Sequence, residues 1–277
     1  MKLLALDLDG TLLDDRGRVH PDDARAIGRA MASGLSVAVV TGRLYSGARE
    51  SALAVGALGP VACVDGTHIV DARDDRDLVY RALAAPAAEV TRAAAARSKG
   101  VACFLFAHDE IVFDEGGTPF VPYVQLWSAR MVRHGRVAEH PHWDHPRGVS
   151  AVVCVGPEEA IREAAAEVEA GGEAFVAAFP VRRAEVEPVW GMVVRAPGHD
   201  KGTAVRWLAA HYGCQPEEVA AVGDWLNDVP MFAVAGRSFA MGQAPDVVKG
   251  AAGEVLTATS ATGGGVAEAL RRLGFGR

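Results

Sequence analysis

The first apolar run of the chain ends in two aspartates. Residues 3–6 predict a short buried strand, and Gly10 ends it. Asp7 and Asp9 stand two positions apart at the carboxyl end of this strand, so their side chains point the same way. Like charges on one face repel each other and cost stability unless something neutralises them. The pattern therefore predicts a bound divalent cation, with one carboxylate that attacks an electrophile and one that moves protons. The alternative is an acidic hairpin turn, because Asp-Gly is also a common turn signal.

Strands and helices alternate through the first 81 residues. A helix is predicted to begin at Pro21 and end at Gly34, and another covers 45–57. Apolar runs at 36–40 and 61–64 predict two further buried strands. The alternation resumes near the end of the chain, with helices over 201–212, 246–252 and 266–273 and strands at 219–222, 238–241 and about 255–256. This order is typical of a parallel sheet with helices on both faces.

The pattern between these two parts is different. It combines hairpins with helices, and its predicted elements are helices over 87–98 and 157–170 and strands at 101–106, 111–113, 151–155, 174–179, 184–187 and 191–195. Such a mixture indicates a separate α+β module. We therefore expect a discontinuous core over 1–81 and 196–277, with an inserted domain over 82–195.

Polar clusters follow several of the core strands or begin a helix. They are Asp7/Asp9, Thr41-Gly42-Arg43, Lys201-Gly202 and Asp224/Asn227/Asp228. Open α/β sheets bind ligands beyond the carboxyl ends of their strands, so the clusters are expected to meet at one edge. Carboxylates hold a hard cation such as Mg²⁺, while lysine, threonine and backbone amides hold phosphate oxygens. This set of groups favours phosphoryl transfer through an aspartyl-phosphate.

Four ordered motifs resemble those of the haloacid dehalogenase (HAD) superfamily. They are Asp-Leu-Asp-Gly-Thr at 7–11, Thr-Gly-Arg at 41–43, Lys-Gly at 201–202 and Gly-Asp-x-x-Asn-Asp at 223–228. Their order and the position of the insert resemble the Cof-type phosphatases, whose cap is of the C2B kind. The resemblance covers nearly the whole chain and implies a Rossmann-like parallel-sheet core with an α+β cap. The chain has Asp65 where the family usually has asparagine, and Trp225 where a smaller or polar residue is common.

The resemblance implies a role for each motif residue. Asp7 is the nucleophile, and Asp9 is the general acid for the leaving alcohol and then the base for water. The implied Mg²⁺ ligands are Asp7, the backbone carbonyl of Asp9, and Asp224. The groups implied to bind phosphate are Thr41, the Gly42 amide, Lys201 and Asn227. Asp228 and Gly10 have supporting roles.

Three features are open to a structural interpretation as well as a functional one. Arg43 contacts phosphate or pairs with a surface acid. The segment His140–His145 is a metal cluster or, as prolines and irregular spacing favour, a polar cap loop above the pocket. Trp127, Trp143 and Trp190 stack on a substrate or, as we favour, pack the cap.

Composition limits the partners. The chain has 277 residues, 50% of them hydrophobic, and a net charge of −7 with no basic run, which argues against nucleic acid or an anionic membrane as a partner. No apolar stretch is long enough for a membrane span, and no leader is expected because the first strand begins at once. The four cysteines are Cys63, Cys103, Cys154 and Cys214. They are far apart in sequence and form no CxxC pair, which fits a reducing cytoplasm.

Together these features predict a cytoplasmic, Mg²⁺-dependent phosphatase for a small phosphorylated metabolite such as a sugar phosphate, acting as a monomer or weak homodimer. One alternative is a phosphomutase that uses the same aspartyl-phosphate. The other is a regulator that binds a phosphorylated ligand without turning it over.

Overall fold

The computed structural model describes residues 1–97, 100–181 and 189–275. The strands are β1 Leu3–Leu6, β2 Ser36–Val39, β3 Pro60–Cys63, β4 His68–Asp71, β5 Arg76–Tyr80, β6 Ala102–Ala107, β7 Glu110–Phe113, β8 Met131–Arg133, β9 Ala151–Gly156, β10 Phe175–Pro180, β11 Trp190–Arg195, β12 Val219–Gly223, β13 Arg237–Ala240 and β14 Glu254–Val255. The α-helices are α1 Pro21–Ala32, α2 Tyr45–Ala54, α3 Ala85–Arg97, α4 Val121–Val124, α5 Glu158–Gly171, α6 Lys201–His211, α7 Val229–Val234, α8 Asp246–Ala251 and α9 Gly265–Arg272.

The chain divides into two units. The core unit consists of Met1–Val79 and His199–Arg277, and the inserted unit is Tyr80–Gly198. That the first is a catalytic core and the second a cap stays a prediction. The predicted strand at 184–187 and the predicted last residue of the helix over 87–98 lie outside the described residues.

The core unit is built on a parallel sheet in the order β14-β13-β12-β1-β2. Strand β1 lies between β12 and β2 and is fully buried, which explains its uninterrupted apolar sequence. Strand β3 lies beside β2, because the Thr41 amide donates to the Ala62 carbonyl at 2.8 Å. The carboxyl ends of β1, β2 and β12 therefore share one edge, as the alternating pattern predicted.

A hairpin formed by β4 and β5 follows β3 and was not predicted. Strands β3 and β4 pair antiparallel, and β5 completes a three-stranded sheet. The apolar pattern does not reveal this hairpin, because polar residues with exposed partners occupy some of its buried positions. His68 contacts Asp77 at 2.7 Å, and Asp71 accepts from the Arg73 guanidinium at 2.8 Å.

Helix starts in the core unit follow their sequence signals. Pro21 is the first residue of α1, where its missing amide costs no hydrogen bond. Helix α6 begins with a capping box, in which the Asp200 carboxylate accepts from the Thr203 amide at 2.7 Å. This cap fixes the position of Lys201, the first residue of the helix.

The inserted unit contains its own sheet, in the order β10-β11-β9-β6-β7-β8. All of its neighbouring strands are antiparallel except β7 and β8, which are parallel. Helices α3 and α5 share its apolar core with β6, β9 and β11. Of the helices in the described ranges, none has the length and apolar character that crossing a bilayer needs.

Candidate active site

Lys201 joins two of the sequence-predicted aspartates in the core unit. Its ammonium donates to Asp7 Oδ1 and to Asp228 Oδ1, each at 2.6 Å. All three side chains are buried, with Lys201 only 1% exposed. Asp7 directly follows β1, whereas Asp228 comes from the turn after β12 and Lys201 from the start of α6. The shared sheet edge therefore brings together residues that are far apart in sequence.

Asp228 fixes the turn that carries Asp224. Its Oδ2 accepts from the Asp224 amide at 2.8 Å and from the Trp225 amide at 2.9 Å, while its Oδ1 accepts from Lys201. A fully buried carboxylate with three such donors is a rigid anchor. The supporting role expected of Asp228 stays a prediction.

Asp224 lies against the loop that follows β1. Its carboxylate accepts from the Thr11 hydroxyl and from the Gln243 amide, each at 3.3 Å. Gln243 also donates to the Gly10 carbonyl at 2.6 Å. Gly10 has φ +83°, and a side chain there would collide with the Asp224 carboxylate. Close approach to Asp224 therefore requires glycine at position 10.

The three buried carboxylates carry more negative charge than Lys201 neutralises. Burial raises the pKa of Asp7 well above its ordinary value, and the charges of Asp228 and Asp224 add to this effect against Lys201. Burial and then the charge of Asp228 raise the pKa of Asp224 to about 7. Burial opposes the charge on Lys201, but the carboxylates of Asp228 and Asp7 outweigh it and raise the lysine's pKa. The site therefore favours additional positive charge.

The same carboxylates fit a hard divalent cation. Asp7, Asp224 and Asp228 each offer an oxygen, and these oxygens all lie within 4.8 Å of one another. Oxygen ligands and an excess of negative charge suit Mg²⁺. The buried cluster contains both side chains that were predicted as Mg²⁺ ligands, Asp7 and Asp224.

Asp9 pairs with Arg43. Arg43 Nε donates to Asp9 Oδ2 at 2.8 Å, and a terminal guanidinium nitrogen donates to Asp9 Oδ1. The Asp9 side chain is 43% exposed, whereas that of Arg43 is 7% exposed. Of the two sequence interpretations of Arg43, the structure therefore shows the pairing with an acid, and that acid is Asp9.

The other residues that were predicted to bind phosphate lie at the same sheet edge. Thr41 follows β2 and is buried, and its hydroxyl accepts from the Arg43 amide at 3.2 Å. Gly42 is exposed beside it. Asn227 Nδ2 donates to Asp65 Oδ1 at 2.9 Å, which connects the turn after β12 with the turn after β3. The unusual Asp65 thus orients one of the predicted phosphate ligands.

The histidine-rich segment of the inserted unit is held by structural contacts. Trp143 is buried and its indole N–H donates to the Val137 carbonyl at 2.9 Å. His142 contacts Glu110 at 2.6 Å, and the His142 and His108 rings stack with centroids 4.4 Å apart. Within the described residues, only the Asp7 group brings three candidate metal-ligating atoms this close together. Trp127 contacts Phe106 edge to face, and Trp190 lies under the Arg162 guanidinium, so all three tryptophans pack the inserted unit.

Sequence reasoning missed two residues that touch the buried cluster. Thr11 lies inside the first motif, but its contact with Asp224 depends on the geometry of the loop, which the sequence does not show. Gln243 follows the Met241-Gly242 pair at the end of β13. Its signal is its place after a core strand, where the other site residues also stand.

Known proteins similar to this chain were found by sequence and by structure. The sequence profile of the haloacid dehalogenase-like hydrolases matches residues 4–270. A 5-amino-6-(5-phospho-D-ribitylamino)uracil phosphatase of Bacillus subtilis is 26% identical, with 90% of each chain covered. Pyridoxal phosphate phosphatase YbhA of Escherichia coli is 25% identical over 92% of this chain and 93% of its own.

Coverage differs among the relatives. A chloroplastic protein of Arabidopsis thaliana named endoribonuclease YBEY is 25% identical over 97% of this chain, which spans 46% of that protein's length. A solved haloacid dehalogenase-like hydrolase of Bacteroides thetaiotaomicron superimposes with a TM-score of 0.81 at 24% identity, over 98% of this chain and 99% of its own. That likeness confirms the fold. With the profile match across nearly the whole sequence, the resemblance carried by the four motifs is confirmed, and the chain belongs to the haloacid dehalogenase-like hydrolases.

Proposed function

We propose that this chain is a Mg²⁺-dependent phosphatase that hydrolyses a small phosphorylated metabolite through an aspartyl-phosphate. One observation carries the proposal: Asp7 is buried at the end of β1, in contact with Lys201 and close to Asp224 and Asp228. A carboxylate so placed can act as a nucleophile beside the positive charge of Lys201, and the neighbouring carboxylates can hold a cation. The names of the Bacillus and Escherichia relatives, both phosphatases of small phosphorylated molecules, support the substrate class.

The protein's own residues divide the work of the reaction. An oxygen of Asp7 bonds to phosphorus while the bond from phosphorus to the alcohol oxygen breaks, and Asp9 gives that oxygen its proton. Water then attacks phosphorus and Asp9 takes the proton of the water, which releases phosphate and restores Asp7. Lys201, Thr41, the Gly42 amide and Asn227 bind phosphate oxygens and balance their charge.

Asp7 and Asp224, with the Asp9 carbonyl, would hold Mg²⁺. When bound, Mg²⁺ supplies positive charge next to the phosphate oxygens. Selectivity for the alcohol is proposed to come from the inserted unit, because the core residues named above recognise only phosphate and metal.

A panel of phosphorylated metabolites with Mg²⁺ and a readout of inorganic phosphate tests the proposal. We expect several sugar phosphates or related esters to be hydrolysed, and Asp7→Asn to reduce turnover by at least ~10⁴ because no other group can form the intermediate. Asp246→Asn is the matched control, since Asp246 is exposed on α8. An acid-quenched phosphoenzyme should form in the wild type and be absent in Asp7→Asn.

Three outcomes would contradict the proposal. Conversion of a phosphorylated substrate to its isomer without release of inorganic phosphate would indicate a mutase. Tight binding without turnover of any metabolite would indicate a regulator. Substantial activity in a clean Asp7→Asn preparation would exclude the covalent mechanism.

A further inference from the structure

The Asp9–Arg43 pair is a contact of the core unit to which the proposed reaction has not yet given a role. The Asp9 carboxylate accepts from two nitrogens of Arg43, in the side-by-side geometry that makes arginine–carboxylate pairs specific in direction. The two residues are 34 positions apart in sequence and follow different strands, β1 and β2. The contact is therefore a product of the fold and not of local chain geometry.

Arg43 is itself fixed from several sides. Its third guanidinium nitrogen donates to the Gly47 carbonyl at 2.9 Å, within the first turn of α2. Its backbone amide donates to Thr41 Oγ1 at 3.2 Å, and its carbonyl accepts from the Val64 amide at 3.0 Å. With a side chain only 7% exposed, Arg43 has little freedom to move. Its guanidinium is a rigid support for whatever it binds.

Asp9 has a fixed backbone and an exposed side chain. Its backbone pairs with that of Leu13, whose amide donates to the Leu8 carbonyl at 2.8 Å. The carboxylate, by contrast, is 43% exposed and free to rotate about its side-chain bonds unless another group holds it. Arg43 is the group that holds it.

We propose that Arg43 is a positioning residue for Asp9, holding the carboxylate in the one orientation from which it serves the leaving alcohol. The inference rests on the proposed phosphatase function. It assigns Arg43 no direct contact with phosphate: each of its three guanidinium nitrogens already donates to Asp9 or to the Gly47 carbonyl. Two N–H groups of the terminal nitrogens are left over, and the inhibition constant of phosphate tests whether they bind it.

The test compares leaving groups in Arg43→Met and Arg43→Lys. Proton donation matters for an alkoxide but little for p-nitrophenolate, and kcat/KM reports only the steps up to departure of the leaving group. We expect Arg43→Met to lower kcat/KM about 10- to 100-fold for the best sugar phosphate of the panel, since misplacing a catalytic group by an ångström costs this much. For p-nitrophenyl phosphate the loss should be under about 3-fold, and the inhibition constant of inorganic phosphate should not change. Arg43→Lys keeps the positive charge without the paired donors, so its kcat/KM for the sugar phosphate should lie between those of the wild type and Arg43→Met.

Two further variants distinguish this positioning role from a general effect on the stability of the fold. Arg49→Met is the matched control, because Arg49 lies on α2, the helix that Arg43 precedes, and pairs with Asp75 at 2.8 Å outside the site. In the Asp9→Asn background, Arg43→Met should cost almost nothing more, because both changes remove the same function.

The inference fails if Arg43→Met weakens inhibition by phosphate, which would make Arg43 a phosphate ligand. It also fails if both substrates lose activity in parallel, if the losses add to those of Asp9→Asn, or if no activity is lost. If Arg43→Met does not fold, the Arg43→Lys results decide by the same criteria. A wild type that hydrolyses nothing would instead refute the proposed function, so the two failures are distinguishable.

Discussion

Replacing Asp224 by asparagine should remove a pH dependence of stability that the metal-free protein owes to its crowded carboxylates. Asp224 is 8% exposed, and burial together with the charge of Asp228 raises its pKa from 3.8 to about 7. A carboxyl group whose pKa is raised by folding favours the folded state only while it is protonated. Its contribution is complete below pH 3.8 and is lost as the pH rises through 7.

The size of the effect follows from the shift. A change of about 3 pKa units corresponds to about 4 kcal/mol when the group is fully ionised, at 1.36 kcal/mol per unit. Integrating the two titrations gives about 2.5 kcal/mol lost between pH 5 and pH 8. The charge of Asp224 also helps to raise the pKa of the neighbouring Asp7, so this free energy belongs to the group of acids. Asp224→Asn should therefore flatten most of the slope and stabilise the metal-free protein at pH 8.

The assay is urea unfolding in EDTA at pH 5 and pH 8, with pulsed hydrogen exchange of peptides from β1 and β12, so that only the core unit is followed. Adding Mg²⁺ to the wild type at pH 8 should recover stability, whereas the same addition to Asp224→Asn should do little. Asp246→Asn, at an exposed position, should keep the wild-type slope. If Asp224→Asn shows the wild-type difference between pH 5 and pH 8, the assignment of crowded charge to Asp224 is wrong.

Two further predictions concern metal and acid. EDTA should abolish phosphatase activity and Mg²⁺ should restore it, while Ca²⁺ binds but inhibits because its larger, looser shell spoils the in-line geometry; full activity in metal-free buffer would exclude the proposed metal site. Burial lowers the pKa of His108, and the charges of His142, His145 and Arg147 add to this effect against Glu110. The neutral ring therefore favours the folded inserted unit at pH values above 6.5, the ordinary pKa of histidine, and this stability is lost as the pH falls below 6.5. His108→Asn, which tolerates the positive φ of +54° there, should reduce the acid sensitivity of the inserted unit in hydrogen exchange, and an unchanged pH dependence would refute this origin.

The sequence was sufficient for the parts of the fold whose patterns are local. Strand β1 is apolar throughout because both faces are covered, and Pro21 begins its helix where a missing amide costs nothing. The β4–β5 hairpin was missed because its buried polar residues, such as His68, are satisfied by partners that only the fold supplies. A pattern of apolar residues cannot show such pairs.

The candidate site divides in the same way. The motifs placed Asp7, Asp224 and Lys201 at one sheet edge because strand ends mark that edge in the sequence. The partner of Arg43 was left open, since an arginine at a helix start is compatible with phosphate and with an acid alike. The role of Trp143 was open for a similar reason, and its hydrogen bond to the Val137 carbonyl shows that it packs the inserted unit.

The two aspartates of the first motif differ in the freedom that the structure allows them. Asp7 is 5% exposed and bonded to a buried ammonium, which suits a nucleophile that must meet phosphorus along one line. Asp9, two residues later, has a side chain that is 43% exposed and is held by Arg43, which suits a group that must give and then take a proton. Unequal environments for two neighbouring carboxylates are how one site separates nucleophile from acid. Because the backbone of Asp9 is fixed by Leu13, the contrast comes from side-chain partners, and Arg43 is the residue through which it can be altered without touching either carboxylate.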